Sequence, residues 1–265
     1  MMRGAMRAKL AYPIKLLVFA SLLGAPGWKA LAEVPASGPA QLNAAFSAMD
    51  ALTRQRRASG TLPRWSDPAD AKVLAALWNA PAILGRPPYA SNDIPLLLDI
   101  LGKETQVMKT YALFSADPAR QPDTARNAMI FQDEITRSHA FLIKVIAAAM
   151  PAVADFITRL KPEEMNDARR QGLRTMRLGL LEIVNAATLA LRSPGLTPEN
   201  QLVLVNGLAE NAAALAKGTT RGDRLALVAT VQSALPALAP TAQAPLKDFV
   251  AALSLNSCEG LCGLE

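Results

Sequence analysis

Apolar residues recur at spacings of three and four along most of the chain, which is the period of an amphipathic α-helix. No segment alternates convincingly with the period of two expected for strands. The longest regular face belongs to the segment after Asp123. It consists of Ala128, Gln132, Ile135, His139, Leu142, Ile146 and Ala149. The pattern therefore predicts an all-α protein, an antiparallel bundle of about eight helices joined by short loops.

Proline, glycine and helix-capping residues divide this pattern into segments. The predicted helices cover approximately 40–58, 67–79, 93–115, 123–160 with a kink at Pro151, 161–191, 198–217, 220–235 and 245–255. We expect residues 60–66 and 80–92 to be irregular, because prolines interrupt both. Residues 236–245 are expected to form a linker rich in proline and alanine.

These segments suggest a division of the chain into four parts. They are a leader at 1–32, a small N-terminal helical segment at 33–90, the main helical bundle at 91–255 and a cysteine-containing tail at 256–265.

The first 32 residues have the features of a secretory signal peptide. They combine basic residues with a short apolar run at 16–23, and Ala30-Leu31-Ala32 supplies small residues for cleavage before Glu33. The apolar run is too short to span a bilayer. We therefore expect a periplasmic or secreted protein with no transmembrane segment after cleavage. An uncleaved N-terminal anchor helix is the alternative.

The net charge of +6 is largely a property of the leader. Five of the 28 basic residues and none of the 22 acidic residues lie in it, so the rest of the chain is nearly neutral. A basic composition is the usual electrostatic sign of a nucleic-acid partner. Without it, we expect no nucleic-acid binding.

The two cysteines, Cys258 and Cys262, are separated by three residues in the tail. In an oxidising compartment such a pair favours a disulfide. Soft thiolates also select Cu(I), so a copper or redox site is one alternative, and two free or intermolecular thiols are the other. A copper site would need a third ligand, and the nearest histidine is far away in the sequence. We therefore predict no metal site.

His139 is the only histidine, and it lies on the apolar face of the fourth predicted helix. Histidine in this position is either a hydrogen-bonded core residue or a ligand-binding group, such as a general base or axial ligand. A single histidine excludes a ferritin-like di-iron site and a His-Glu-x-x-His zinc site. We retain His139 as a candidate ligand-binding residue.

Three arginines, Arg170, Arg174 and Arg177, are spaced to form one cationic stripe on the fifth predicted helix. Such a stripe is a candidate binding surface for an anionic ligand, a phospholipid headgroup or an acidic partner helix. The alternative is a solvated face that pairs with nearby acids. Asp133 and Arg137 are likewise four residues apart, the spacing of a surface ion pair.

No P-loop, dinucleotide-binding motif or nucleophile-elbow motif occurs, and the sequence points to no cofactor and no catalytic residue. We therefore expect an exported protein that acts by binding an unknown partner protein or an apolar or anionic small molecule. One alternative is an envelope hydrolase or lyase that uses a single carboxylate, which would require a buried, unpaired acid facing a cavity. The other is a structural or stress-related envelope protein without a ligand.

Overall fold

A computed structural model describes residues 38–117, 119–193 and 195–255. Within these ranges there are helices and no strands, so the all-α prediction is confirmed. The α-helices are α1 (Gly38–Ala58), α2 (Pro68–Leu77), α3 (Ala80–Leu84), α4 (Ile94–Ala112), α5 (Thr124–Ile130), α6 (Gln132–Arg159), α7 (Asp167–Ala190), α8 (Pro198–Glu210), α9 (Ala212–Gly218), α10 (Arg221–Ala234) and α11 (Pro240–Leu255). Short 3-10 helices lie at Ser91–Asp93, Pro162–Glu164 and Leu235–Ala237.

The predicted leader at 1–32 and the predicted disulfide between Cys258 and Cys262 lie outside the described residues. Both stay predictions.

The starts of several helices follow directly from capping chemistry. The side chains of Asp67, Asn79, Asp123, Asn166, Thr197 and Thr220 each accept a hydrogen bond from a backbone N–H two or three residues later. Such bonds satisfy amide groups that the first turn of a helix leaves unpaired. Proline occupies the first position of α2 and α8, where its missing N–H has no cost.

Helix α6 forms the centre of the molecule, and α4, α7, α8 and α9 all pack against it. Its residues from His139 to Met150 are buried except for Lys144. The most apolar 18-residue window of α6 has a mean hydropathy of 1.9, and 67% of that window is buried within the protein. By length and composition alone this helix is long enough to cross a membrane, a property that it shares with core helices of soluble proteins.

One continuous apolar core joins the N-terminal helices to the rest of the described chain. Leu42 of α1, Leu74 of α2, Tyr111 of α4 and Phe249 of α11 are all fully buried members of it. The boundary predicted at residue 90, between an N-terminal helical segment and the main helical bundle, stays a prediction.

Three of the predicted long helices are interrupted. The helix predicted at 161–191 consists of the 3-10 turn at Pro162–Glu164 followed by α7, which begins at Asp167. The segment predicted as a single helix at 123–160 is divided into α5 and α6 at Phe131, and the helix predicted at 198–217 is divided at Asn211. Phe131 is buried and packs its ring against Tyr111 at 5.3 Å between centroids. Apolar periodicity alone predicts a continuous helix through this position. The helix is instead interrupted where the side chain of Phe131 packs into the core.

Two predictions of irregular structure were wrong. Within 80–92, residues 80–84 form α3, which begins with a proline near its N-terminus. The predicted linker at 236–245 is mostly helical, because α11 begins at Pro240 and continues through Pro245. Leu238, Ala242 and Leu246 recur at spacings of four and are buried. Their burial supports the helix despite the hydrogen bond that Pro245 cannot donate.

Gly218 at the end of α9 permits a close contact with α6. A β-carbon at this position would lie 1.8 Å from Sδ and 2.8 Å from Cγ of buried Met150. We expect Gly218→Ala to lower the free energy of unfolding by about 1–3 kcal/mol, since the core must repack. The matched variant Gly222→Ala, which meets only Thr220 Oγ1 at 3.8 Å, should cost less than about 0.5 kcal/mol. Urea denaturation of both variants tests this; equal losses would contradict it.

Candidate ligand-binding groove

Two adjoining cavities open beside the N-terminal half of α6. The first has a volume of about 200 Å³ and the second about 210 Å³. They adjoin because Ala128, Ile135 and His139 line both. We call the two together the α4–α7 groove.

The walls of the groove are mostly apolar. The first cavity lies between α4 and α7. Met108 and Ala112 of α4 and the following Leu113 form one wall, and Ile183, Ala186 and Leu189 of α7 form the other. The second cavity continues along α5 toward the loop after α7, where Leu196 closes it.

Large apolar side chains also lie at the rim of the groove. Leu113 and Leu189 are 40% and 48% exposed on opposite walls, and Met129 of α5 is 62% exposed beside the second cavity. Exposed apolar groups that cluster around a concavity are typical of binding sites rather than of ordinary surface. The groove is therefore the most apolar accessible feature among the described cavities.

The sequence creates the groove through small residues and the break at Phe131. Ala112, Ala128 and Ala186 come from three different helices and leave space where larger side chains would meet. The regular face predicted for the segment after Asp123 changes its surroundings at His139. Leu142 and Ile146 beyond it are buried core, although Leu142 also lines the first cavity, whereas Ala128 and Ile135 before it are half-buried and line both cavities.

His139 lies where the two cavities meet, and only 3% of it is exposed. Its Nδ1 is 2.9 Å from the carbonyl oxygen of Ile135, which can only accept, so Nδ1 carries the proton. Burial lowers the pKa of the imidazole from 6.5 to about 4, and the ring is neutral at pH 7. Nε2 is then an acceptor, and it has no hydrogen-bond partner among the described residues.

Two charged side chains line the first cavity from opposite walls. Lys109 belongs to α4 and Glu182 to α7, and both are half-buried. Neither side chain has an ion pair or hydrogen bond within the described part of the chain. Their opposite charges give the groove no net preference for an anion or a cation.

The three arginines predicted as one cationic stripe have different surroundings. Arg170 is exposed, Arg174 is half-buried, and Arg177 is buried and donates a hydrogen bond to Asp223 of α10. None of the three lines a cavity described here, and none is brought to the groove with His139. Arg177 therefore joins α7 to α10, and ligand binding by these arginines stays a prediction.

Glu104 is a buried acid that helical patterning could have revealed but that the sequence analysis missed. It follows Ile100 by four residues and precedes Tyr111 by seven, so it lies on the buried face of α4. Its Oε1 accepts hydrogen bonds from Ser138 Oγ and from Trp78 Nε1, the latter at 2.9 Å. Its Oε2 has no hydrogen-bond partner within the described ranges, and burial raises the pKa of the carboxyl to about 7.

Glu134 is a second buried acid, one turn before Ser138 on α6. Its Oε1 accepts from the backbone N–H of Trp65 at 2.5 Å and from Arg64 Nε at 3.3 Å, and burial raises its pKa. Arg137 lies over the Trp65 ring at 4.1 Å, and no ion pair with Asp133 occurs among the described residues. The surface ion pair predicted for Asp133 and Arg137 was therefore wrong, because the guanidinium stacks on the indole instead.

The positions of the buried acids bear on the possibility of carboxylate catalysis. A catalytic carboxylate must reach a substrate, but neither Glu104 nor Glu134 lines any of the cavities described here. Glu182 does line the first cavity, but it is only half-buried. The partners of the two buried acids, Trp65 and Trp78, come from the N-terminal helical segment. The arrangement attaches that segment to α4 and α6.

A third cavity, near the loop between α4 and α5, is larger but has a different chemistry. It encloses about 500 Å³ and is lined by Arg64, Arg120 and Arg126 together with Asp117. Arg64 pairs with Glu134 and Arg120 with Asp117 at 3.4 Å, so two of its three cations already have partners. It is a polar surface depression rather than a built anion site.

Comparison with known proteins identifies no relative: no family model, no curated protein and no solved structure matches this chain. The mostly apolar walls of the groove, with a neutral imidazole where its two cavities meet, are suited to holding a small molecule.

Proposed function

We propose that this protein is an exported helical bundle that binds a small apolar molecule in the α4–α7 groove. The observation that supports this most directly is the pair of adjoining cavities with apolar walls and exposed leucines at the rim. Export rests on the composition of the leader.

The dimensions of the groove favour a small ligand. An apolar cavity of about 150 Å³ suffices for a benzene molecule, and ligand sites for larger molecules begin near 300 Å³. Each cavity of the groove exceeds the first size, and the two share three residues. A molecule with two fused rings or a medium-length alkyl chain would therefore fit, extending from one cavity into the other.

The energetics of such binding would come mainly from apolar surface. Removing apolar area from water contributes about 25 cal/mol per Å². Leu113 and Leu189 face the first cavity from opposite sides and remain substantially exposed without a ligand. A ligand between them would cover its own apolar surface and theirs at once.

Binding of a neutral fluorescent dye, N-phenyl-1-naphthylamine, tests the proposal. We expect saturable binding by the unmodified protein and at least a tenfold loss of affinity in Ala128→Trp, because Ala128 lines both cavities and an indole would fill them. Ala229→Trp on the exposed face of α10 is the matched control and should bind like the unmodified protein. Circular dichroism verifies that both variants retain their helices.

Two results would contradict the proposal. They are an absence of saturable dye binding, and equal binding by Ala128→Trp and the unmodified protein. If the dye binds only weakly while an apolar helical peptide protects the rim leucines from solvent, the groove would instead be a surface for a partner helix.

A further inference from the structure

We infer, on the basis of the proposed function, that the groove selects a neutral ligand bearing a hydroxyl group, which donates a hydrogen bond to Nε2 of His139. The selection would exclude carboxylates of the same size and shape.

The first step of the inference is the position of the imidazole. His139 is 97% buried as a residue, yet it lines both cavities, so its ring borders the space that a ligand would occupy. Its Nδ1 donates a hydrogen bond to the carbonyl oxygen of Ile135 one turn earlier. Only Nε2 remains to bind a ligand.

The second step concerns what Nε2 can accept. A neutral imidazole with a protonated Nδ1 presents a lone pair at Nε2, which binds a donor such as a hydroxyl. A carboxylate has only lone pairs to offer, and it would lose its hydration among apolar walls. Leaving Nε2 without a donor costs free energy, so a ligand without a hydroxyl should bind less tightly.

The third step concerns the other polar groups of the groove. Lys109 and Glu182 line the first cavity from opposite walls, together with the neutral residues Thr105, Thr124 and Asn185. The residues that the second cavity adds are uncharged, and the polar ones among them are Gln132, Thr136 and Ser193. A carboxylate placed near Lys109 would also meet the field of Glu182. The charges of the groove therefore do not compensate the desolvation of an anion.

Three naphthalene derivatives of similar shape test the selection: naphthalene, 2-naphthol and 2-naphthoate. Isothermal titration at pH 7.5 should give about tenfold tighter binding for 2-naphthol than for naphthalene, the effect of one hydrogen bond. We expect 2-naphthoate to bind more weakly than naphthalene. In His139→Leu, the ratio of the affinities for 2-naphthol and naphthalene should fall from about ten to about one.

Because the chain has one histidine, nitrogen NMR provides a second measurement that needs no variant. The single unprotonated imidazole ¹⁵N resonance should move to lower frequency when 2-naphthol is added and should stay nearly unchanged with naphthalene. This measurement decides the matter even if His139→Leu fails to fold.

The outcomes separate this inference from the proposed function. Equal affinities for naphthalene and 2-naphthol, with no ¹⁵N shift, would overturn hydroxyl selection while leaving apolar binding intact. Tightest binding of 2-naphthoate, lost in Lys109→Met, would overturn it in favour of an anion held by Lys109. Failure of all three compounds and of the dye to bind would overturn both.

Discussion

Replacing Ile146 with alanine should lower the free energy of unfolding by about 2–5 kcal/mol, the range for truncating a large side chain in a packed core. Ile146 is fully buried at the centre of α6, the helix against which α4, α7, α8 and α9 pack. The cavity left by the deleted atoms would be surrounded by helices that are fixed on several sides. Chemical denaturation followed by circular dichroism measures the loss.

Leu225→Ala is the matched control for this prediction. Leu225 lies on α10 and is 61% exposed, so its truncation should change the free energy of unfolding by less than about 0.5 kcal/mol. An equally small loss for Ile146→Ala would contradict the central position of α6.

Replacing Glu104 with glutamine should change how stability depends on pH. Burial raises the pKa of Glu104 from 4.5 to about 7 in the folded protein, so the folded state retains its proton more strongly than the unfolded state does. The stabilisation that comes from this tighter proton binding by Glu104 is fully present below pH 4.5 and is lost as the pH rises through 7. The loss amounts to about 3 kcal/mol. Glutamine cannot ionise and removes this part of the profile.

His139 contributes with the opposite sign. Burial lowers its pKa from 6.5 to about 4, so stability is fully present above pH 6.5 and declines as the pH falls toward 4. In the unmodified protein the two effects oppose each other between pH 4.5 and 6.5. In Glu104→Gln, stability should therefore rise with pH across that interval and should exceed that of the unmodified protein at pH 8.

Urea denaturation at half-unit steps from pH 4 to 8 measures both profiles. Glu134 remains in the variant, and burial raises its pKa too, so its own contribution falls as the pH rises and partly offsets the rise that His139 produces. Parallel profiles for the two proteins would show that Glu104 does not change its ionisation between the folded and unfolded states.

Much of the fold could be predicted from the sequence because its helices depend on local signals. Asp67, Thr197 and Thr220 mark helix starts through their own side chains, and apolar periodicity identifies the buried face of α6. The breaks at Phe131 and Asn211 could not be predicted, since residues distant in sequence determine where a helix is interrupted. The same reason explains why Pro245 lies inside α11.

The candidate site was only partly predictable. His139 stood out as the single histidine on an apolar face, but its accessibility depends on small residues of α4, α5 and α7 that meet only in the folded chain. Glu104 carried a detectable signal, an acid at a core position of an amphipathic helix. The cationic stripe looked continuous in sequence, yet Arg177 turns toward Asp223 because α10 packs beside it.

The hydrogen bond between Trp78 and Glu104 also links the fluorescence of an indole to a buried carboxyl group. Trp65 and Trp78 are the indoles of the described chain, 6.0 Å apart between ring centroids, and Trp78 donates its N–H to the buried carboxyl. Charge appearing on that carboxyl changes the electric field at the indole ring. The tryptophan fluorescence therefore depends on whether the Glu104 carboxyl carries its proton. Any event that ionises Glu104 should be accompanied by a change in this emission.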